Sequence, residues 1–401
     1  MALSRQAERS PWTILGLAVG MQFGVSLIDQ GILTLTGFIK LDLDLSAFVT
    51  GLIVASFALG RIAGAYAAGV AADRLGEQRT LLVGGLATAG IVLIAAAAPL
   101  PVFVPLLALA GAAGASSTPA GGRLVLLAFP KNRRGTALGI RQTGIPVAGL
   151  IAAAALPWIA HVSSWRWALA VAAGVTALTA IPLLSLRAVP PPPRPAKPLP
   201  HVGRNRDLLM LTAWGCLIVT GQYALVAFLA LDLNQGAGLS LAEGSILVAV
   251  ANAAGVIGRV LWGLVSDHHR GGSRKIYLLT INVVALIGSL LLFVVPRTAP
   301  IALIGVIVAV AGLALIGYQG LWITMIAEVA GPERVGAATG FAITFVAAAI
   351  AASPPLYGLV ADLTGTYRAI WIVLAGVLAV AMVPAVLVRE PAASIPGEQP
   401  A

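Results

Sequence analysis

The chain has 401 residues, of which 59% are hydrophobic and only 10% are charged, and its formal net charge is +10 at pH 7. Soluble domains carry about 25% charged residues, so this composition and a mean hydropathy of +0.96 exclude a water-soluble protein. The single cysteine, Cys216, lies in an apolar run. A disulfide framework and a Cys-x-x-Cys metal site are therefore excluded, and we expect Cys216 to serve packing.

Twelve apolar runs follow one another along the chain, each long enough to cross a hydrocarbon core of about 30 Å as a helix. The first is too long for the apolar region of a signal peptide and ends without a convincing cleavage site, so we take it as a membrane helix. The twelve predicted spans are 12–38, 47–70, 80–99, 102–128, 136–160, 165–187, 207–232, 242–265, 275–295, 299–327, 336–360 and 367–388.

The basic residues are distributed unevenly between the two sides of these spans. With the N-terminus placed inside, 17 of the 25 lysines and arginines fall on the cytoplasmic side and 4 on the external side. The positive-inside rule then predicts cytoplasmic N- and C-termini. The excess charge is thus a topology signal, and we expect no nucleic-acid partner. The remaining four basic residues lie within or at the ends of spans: Arg61, Arg123, Arg141 and Arg259.

A proline-rich segment with five basic residues, 187–207, separates the sixth span from the seventh. Its prolines favour an extended polyproline-II path, which must run through water because it leaves backbone groups unpaired. We therefore predict an N-terminal six-helix bundle (1–187), a cytoplasmic linker (188–206) and a C-terminal six-helix bundle with a short tail (207–401).

The two predicted halves share landmarks in the same order. GVAADRLGEQRT (69–80) follows the second span, and GLVSDHHRGGSRK (263–275) follows the eighth. RRGTALG (133–139) follows the fourth span, and RVGAATG (334–340) follows the tenth. This internal duplication predicts an all-α membrane protein of two pseudo-symmetric bundles, an architecture typical of transporters with a site near the membrane midplane.

These features together resemble the major facilitator superfamily, and the most specific element is the loop after the second span. There Gln78 replaces one expected basic residue, and the second copy has His268 and His269 where a basic residue would stand. The resemblance implies a charge latch that gates the transporter; the alternative is that these charges only anchor loops at the membrane surface. The implied gating residues are Gly69, Asp73, Arg74, Gly76, Arg79, Gly263 and Asp267.

The fifth span is similar to the glycine–proline signature of many antiporters in that superfamily. Proline removes a helix hydrogen bond and bends the helix, while glycines allow close helix packing. The matching residues are Gly139, Arg141, Gly144, Pro146 and Gly149. The fourth span, however, lacks the arginine that proton-coupled drug exporters usually carry, which disfavours that function.

A charged side chain at membrane depth carries a large free-energy cost, so its presence suggests a functional role. Arg61 precedes Asp73 by twelve residues, or about 18 Å of helix, and Arg259 precedes Asp267 by eight, or about 12 Å. Asp29 is the only acidic residue that we place well inside a span, and one carboxylate cannot neutralise both arginines. We therefore predict that an anionic substrate neutralises them.

The alternatives are that these arginines bind helix carbonyls or snorkel to the surface. Asp29 is either a proton-coupling carboxylate or the ion-pair partner of Arg61. We expect Arg123 and Arg141 to snorkel, because they lie near the cytoplasmic ends of their spans; substrate contact is the alternative for each, and Arg123 is also a candidate partner for the latch region.

The stretch NAAGVIGRVLWGLVSD (252–267) resembles the eighth helix of oxalate–formate antiporters and monocarboxylate porters, which implies that Arg259 binds a substrate carboxylate. The pair of Arg61 and Arg259 is similar to nitrate/nitrite porters, but their glycine-rich signatures are absent. The first span carries Asp29–Gln30–Gly31 in place of the Asp–Gly–Trp cluster of monocarboxylate porters.

The superfamily resemblance also implies that the first, fourth, seventh and tenth spans line the cavity. For the aromatic residues the alternative is packing between helices or against lipid. The polar and aromatic residues on these spans are Gln22, Asp29, Gln30, Ser116, Ser117, Thr118, Gln222, Tyr223, Tyr318, Gln319 and Trp322.

We therefore predict a secondary active transporter in the cell membrane that moves a small organic anion, a carboxylate, by alternating access as a symporter or antiporter. Protons are the candidate coupling ion, and a monomer in the lipid bilayer is expected. The alternative is a proton-coupled exporter of drugs or other lipophilic small molecules. No enzyme activity, metal or cofactor is expected, since the four histidines lie at span ends or in loops. The sequence contains no Walker loop of the G-x-x-x-x-G-K-[ST] type, so we do not expect ATP to be the energy source.

Overall fold

A computed structural model describes residues 10–130, 133–186, 205–268, 274–296, 298–330 and 335–389. Within these ranges the regular structure is helical. Twelve segments of the described residues are long and apolar enough to cross a membrane. The predicted number of spans and the all-α fold class are confirmed.

The first six spans comprise eight helices, and a further short helix, α2 (Thr36–Asp42), follows the first span. The eight helices of these six spans are α1 (Pro11–Thr34), α3 (Ala47–Leu75), α4 (Glu77–Ala97), α5 with α6 (Leu100–Gly114 and Ser117–Ala128), α7 with α8 (Arg134–Gln142 and Gly144–Val162) and α9 (Trp165–Ala180). The remaining spans are α10 (Arg206–Ala237), α11 (Leu241–His268), α12 (Arg274–Val294), α13 with α14 (Ile301–Leu315 and Gln319–Ala330), α15 (Val335–Thr364) and α16 (Ala369–Leu387).

Polar residues at the span boundaries determine where several helices begin. The Ser46 side chain accepts a hydrogen bond from the Val49 backbone N–H at the start of α3. Ser240 and Glu243 form a reciprocal capping box at the start of α11, with bonds of 2.8 and 3.2 Å. Gly76, at φ 84°, joins α3 to α4 in a backbone conformation that favours glycine.

The fourth and tenth spans are each interrupted near the middle, although we predicted them as continuous helices. The fourth breaks at Ala115–Ser116 and the tenth between Leu315 and Gln319. Both breaks follow glycine-containing runs, and each helical glycine costs about 0.5–1 kcal/mol relative to alanine. The breaks leave backbone carbonyls that helix hydrogen bonds do not satisfy.

The described chain packs as two compact units. The first comprises Met1–Ala196, Tyr223–Asn252 and Ile350–Ile370, and the second comprises Lys197–Gln222, Ala253–Ala349 and Trp371–Ala401. The bundles 1–187 and 207–401 remain a prediction based on the internal repeat. Most of the predicted linker, 188–204, lies outside the described residues.

Within the first unit, the end of α15 contacts the start of α3, on the side predicted to face outward. The Asp362 carboxylate accepts hydrogen bonds from the backbone N–H groups of Ala47 (2.8 Å) and Phe48 (2.7 Å). Nearby, the Thr36 hydroxyl donates to the Ala227 carbonyl at 2.7 Å. Because α3 has no acidic residue in its own first turn, Asp362 supplies the negative charge that its N-terminus favours.

We predict that Asp362→Ala destabilises the purified protein by about 1 kcal/mol, because two helix N–H groups lose a charged acceptor. A lower melting temperature in detergent would show this. The control is Asp44→Asn, because Asp44 is exposed and its φ of 48° suits asparagine. Equal melting temperatures for Asp362→Ala and the wild type would contradict the prediction.

Candidate functional site

The predicted interior charges of the first unit include an ion pair. Arg61 on α3 donates from Nη1 to Asp29 Oδ2 on α1 at 2.9 Å. The Asp29 side chain is 12% exposed and that of Arg61 is 32% exposed. Of the two roles left open for Asp29, the structure shows the pairing with Arg61, so the charge of Arg61 is neutralised within the protein.

Arg259 of the second unit lies beside the break in the tenth span. The preceding residue, Gly258, packs against Gly317 so closely that a Cβ on either would lie within about 3 Å of the other's Cα. This crossing places the half-buried Arg259 side chain where its Nε donates to the Ile316 carbonyl at 3.3 Å. In the part of the chain that the structure describes, no carboxylate lies within 4.0 Å of the Arg259 guanidinium.

The aromatic residues that follow this break pack against the seventh span. Tyr318 meets Trp214 edge to face at 5.5 Å between ring centroids. Trp322 donates its indole N–H to the Leu211 carbonyl at 2.8 Å, so in this structure that donor is used for helix packing. By contrast, the buried Tyr318 hydroxyl and Gln222 Oε1 lack a hydrogen-bond partner among the described residues. Gln319, the residue after Tyr318, is half-buried.

Arg141 does not snorkel, contrary to our expectation. It is 3% exposed, and its Nη2 donates to Gln22 Oε1 at 2.6 Å and to the Ser117 carbonyl. The side chain therefore points between the first and fourth spans, to the first residue of α6 next to the break in the fourth. Arg123 does not snorkel either: its Nε lies 2.9 Å from Glu77 Oε1, at the start of α4. Glu77 belongs to the segment 69–80, so the alternative of a partner in the latch region is confirmed for Arg123.

The glycine–proline signature of the fifth span coincides with a helix interruption. α7 ends at Gln142, and Pro146 lies in the first turn of α8, where its missing N–H leaves the Gln142 carbonyl without a helix partner. A Cβ on Gly144 would lie 3.2 Å from the Val19 carbonyl oxygen of α1, so this glycine allows close helix packing. Gly149 similarly faces Asn252 and Gln30, whereas Gly139 faces open space.

The predicted gating residues are placed only in part. Arg74 and Arg79 are exposed, while Gly69 and Gly263 face open space. The side chains of Asp73 and Asp267 lie outside the described residues. The latch therefore remains a prediction.

Next to each predicted latch, an ion pair joins two neighbouring spans. The positions of the acidic and the basic partner are exchanged between the two copies of the internal repeat. In the first copy Glu77 begins the third span and Arg123 belongs to the fourth. In the second, Arg274 begins the ninth span and its Nε lies 2.8 Å from Glu328 Oε1 of the tenth. Arg274 also donates to Ser266 at 2.8 Å, near the end of the eighth span.

The sequence reasoning missed one buried acid. Asp232 is 1% exposed and lies inside α10, which continues to Ala237, five residues beyond the predicted end of the seventh span. Asp29 is therefore not the only acid well inside a span. The signal that could have found Asp232 is the uncharged stretch LNQGAGL (233–239) after it, which permits another turn of helix.

The structure places the predicted cavity residues in two groups. Gln22, Asp29, Gln30, Arg61, Ser116, Ser117, Thr118 and Tyr223 belong to the first unit, and Gln222, Arg259, Tyr318, Gln319 and Trp322 belong to the second. Thr118 is exposed within this set, whereas Gln30 and Tyr223 are buried. Substrate contact by any of them remains a prediction.

Comparisons with known proteins agree with this architecture. The chain is 29% identical over 386 residues to an uncharacterized MFS-type transporter of Mycobacterium tuberculosis (strain ATCC 25618 / H37Rv), covering 94% of this chain and 85% of that protein. It is 26% identical over 387 residues to the hexuronate transporter of Bacillus subtilis (strain 168), covering 89% of each. It is 23% identical over 393 residues to a "probable galactarate/D-glucarate transporter" of the same strain, covering 86% of this chain and 84% of that protein.

Solved structures share the fold. A bacterial homolog of the human lysosomal transporter Spinster aligns with a TM-score of 0.76 at 16% identity, covering 94% of this chain and 96% of that one. The xylose transporter of E. coli aligns with a TM-score of 0.75 at 15% identity, covering 96% and 98%. A family model described as the Major Facilitator Superfamily matches residues 17–354 and, in a second match, 211–401. The chain therefore belongs to the major facilitator superfamily and is a multi-pass transporter of the cell membrane.

Proposed function

We propose that this transporter moves a small organic anion, a carboxylate, across the cytoplasmic membrane by alternating access, with no enzymatic activity. The observation that carries the proposal is the environment of Arg259. Its guanidinium lies in an apolar helix bundle, donates one hydrogen bond to a neutral carbonyl and has no carboxylate within 4.0 Å among the described residues. A substrate carboxylate would supply both the missing charge and a planar, bidentate acceptor.

The names of two relatives support the same substrate class. The hexuronate transporter and the "probable galactarate/D-glucarate transporter" are named for sugar acids, which carry carboxylates at neutral pH. Buried polar groups in the same unit as Arg259 suit a hydroxylated anion. The Tyr318 hydroxyl and Gln222 Oε1, without partners in the described structure, can exchange hydrogen bonds with substrate hydroxyls.

The contacts of the first unit suggest how alternating access would be gated on the predicted outer side. Spans seven, eight and eleven of the predicted second bundle contribute their outer parts to the first unit. The bonds from Asp362 to the start of α3 and from Thr36 to Ala227 would have to break when that side opens. Burial, reinforced by the nearby Asp362 carboxylate, raises the pKa of Tyr367 above its ordinary value, so this phenol stays neutral at that end.

A thermal-shift panel on the purified wild-type protein tests the substrate class. It should contain sugar acids, short mono- and dicarboxylates, neutral sugars and lipophilic cations, each at several concentrations. We expect at least one carboxylate to raise the melting temperature in a saturable way. Stabilisation by a lipophilic cation or a neutral sugar, and by no carboxylate, would reject the proposal.

We predict that Arg259→Gln weakens carboxylate binding by about 2 kcal/mol, or roughly 30-fold in Kd, because it removes charge-assisted hydrogen bonds to the substrate. Titration of the ligand-induced melting shift measures this. The matched control is Arg274→Gln in the same unit, since Arg274 pairs with Glu328 and lies near the predicted cytoplasmic surface. Unchanged affinity in Arg259→Gln, or equal losses in both variants, would contradict the assignment.

We further predict that Asp29 and Arg61 act as one unit. Asp29→Asn and Arg61→Gln should each destabilise the protein by about 1–3 kcal/mol, because each leaves the opposite charge in the bundle without its partner. The double variant should recover most of that loss, and a double-mutant cycle on melting temperatures measures the coupling. Additive losses in the double variant would show that the pair carries no such coupling.

A further inference from the structure

A cavity of about 220 Å³ lies in the first unit, on the side predicted to face outward. Three parts of the chain line it: the end of α2, the last turn of α10, and the end of α15 with the segment that follows. Pockets for drug-sized ligands measure roughly 300–1,000 Å³, and a water molecule occupies about 30 Å³ in the liquid, so this cavity suits a small solute. Its polar lining residues are Lys40, Gln235, Asp362, Gly365, Thr366 and Tyr367.

The wall formed by residues 365–367 is fixed to α10. Gln235 donates from Nε2 to the Gly365 carbonyl at 2.9 Å, and its Oε1 accepts from the Tyr367 backbone N–H at 3.0 Å. The Tyr367 ring stacks on Phe228 of α10, with 6.1 Å between the ring centroids. The phenol is therefore held in place before a ligand arrives, which lowers the entropy cost of binding.

Two donors at this cavity are left without a partner by the described part of the chain. The half-buried Lys40 side chain has no carboxylate within 4.0 Å there. The Tyr367 hydroxyl makes no hydrogen bond within the same ranges, although its ring and backbone are held. Burial, reinforced by the Asp362 carboxylate, raises the pKa of Tyr367, so the phenol keeps its proton and donates. An ammonium group and a neutral O–H donor together suit an anion.

Asp362 limits the charge of that anion. Both of its carboxylate oxygens accept backbone N–H groups of α3, and its charge also acts on Tyr367. A dianion would be repelled by Asp362 more strongly than a monoanion, while Lys40 supplies one compensating charge. The two oxygens of a carboxylate can accept from Lys40 and Tyr367 at once. A small monocarboxylate ion therefore matches the cavity in size, charge and number of acceptors.

A ligand in this cavity would contact both predicted bundles. Lys40 belongs to the N-terminal bundle, whereas Asp362 and Tyr367 belong to the C-terminal one. Opening of the outer side would break the bonds from Asp362 to α3, and it would move Lys40 away from Tyr367. An anion that needs both donors therefore binds the closed form more tightly and shifts the equilibrium toward it.

We propose that this cavity binds a small monocarboxylate ion, and that its occupancy holds the predicted outer side of the transporter closed. Lys40 supplies the charge and Tyr367 supplies the neutral donor. The inference rests on the alternating access of the proposed function but not on its substrate, because Arg259 does not line this cavity. A monocarboxylate in the outer solution would thus slow opening whether or not it is transported.

Hydrogen–deuterium exchange on the purified full-length protein tests the proposal. The Ala47 and Phe48 amides report closure, because their bonds to Asp362 exist only while α3 meets α15. Exchange of a peptide that spans them is followed in sodium acetate, sodium chloride and sodium sulfate at equal ionic strength. With acetate at ten times its Kd, we expect exchange to slow about tenfold, because binding to the closed form lowers the open fraction by that factor. Chloride and sulfate should slow it less.

Three variants test the assigned donors. Lys40→Gln should abolish the acetate effect and keep the unliganded melting temperature, since Lys40 forms no ion pair among the described residues. Tyr367→Phe keeps the ring that stacks on Phe228 and removes the hydroxyl, so it should weaken the acetate effect about fivefold. Arg133→Gln is the matched control, because Arg133 is an exposed cation of the same unit on the predicted cytoplasmic side. It should respond like the wild type.

The outcomes separate this inference from the proposed function. Equal slowing by acetate in the wild type and in Lys40→Gln, or slowing by chloride as strong as that by acetate, would show that the inference is wrong. Arg259→Gln should keep the acetate response at Ala47 and Phe48. If Arg259→Gln loses that response and Lys40→Gln keeps it, the anion acts through Arg259, and only the proposed function stands. If the response depends on Lys40 while no carboxylate binding depends on Arg259, the inference stands and the proposed substrate site fails.

Discussion

The cost of placing a guanidinium among apolar helices governs the interior of this transporter. Two of its four span arginines are balanced by carboxylates, as in the pair of Arg61 and Asp29. The other two have no such partner among the described residues: Arg141 donates to Gln22 and to the Ser117 carbonyl, and Arg259 donates to the Ile316 carbonyl at the break in the tenth span. A continuous tenth span would use the Ile316 carbonyl internally. Neutral acceptors therefore hold these two charges in the bundle without neutralising them, and an anion can do what no described carboxylate does.

Close helix packing surrounds both of these arginines. Next to Arg259, the close contact of Gly258 with Gly317 fixes one broken span against the eighth. Next to Arg141, the contact with Gly121 leaves α6 covering the guanidinium only by its backbone. Ion pairs of opposite polarity then hold the neighbouring spans near the predicted cytoplasmic surface, with Glu77 and Arg274 at the starts of the third and ninth.

The architecture was predictable because hydropathy indicates the spans and short motifs such as 69–80 and 263–275 indicate the repeat. The positions of charged side chains were less so. The sequence did not show whether Arg61 and Asp29 pair. Spacing along two helices gives the depth of each side chain but not the rotation of each helix about its axis, which decides whether the side chains face each other. Arg141 was misjudged because distance from a span end says nothing about which neighbours the side chain points toward. The breaks at Ser116 and Tyr318 lie in ASSTPAGG (115–122) and GYQG (317–320), and they were missed because the hydropathy of the whole span outweighs these local proline and glycine signals.

The central claim is that a substrate carboxylate neutralises positive charge in the interior, and a counterflow measurement in proteoliposomes tests it most directly. Vesicles preloaded with unlabelled glucuronate would be diluted into labelled glucuronate, with glucose, glucuronate or glucarate as external competitors. Glucose and glucuronate share the pyranose ring and differ by one carboxylate, while glucarate is the acyclic diacid of the same six-carbon chain. The account predicts transient accumulation of label that the carboxylates suppress and glucose does not. Suppression by glucose as effective as that by the sugar acids would contradict it.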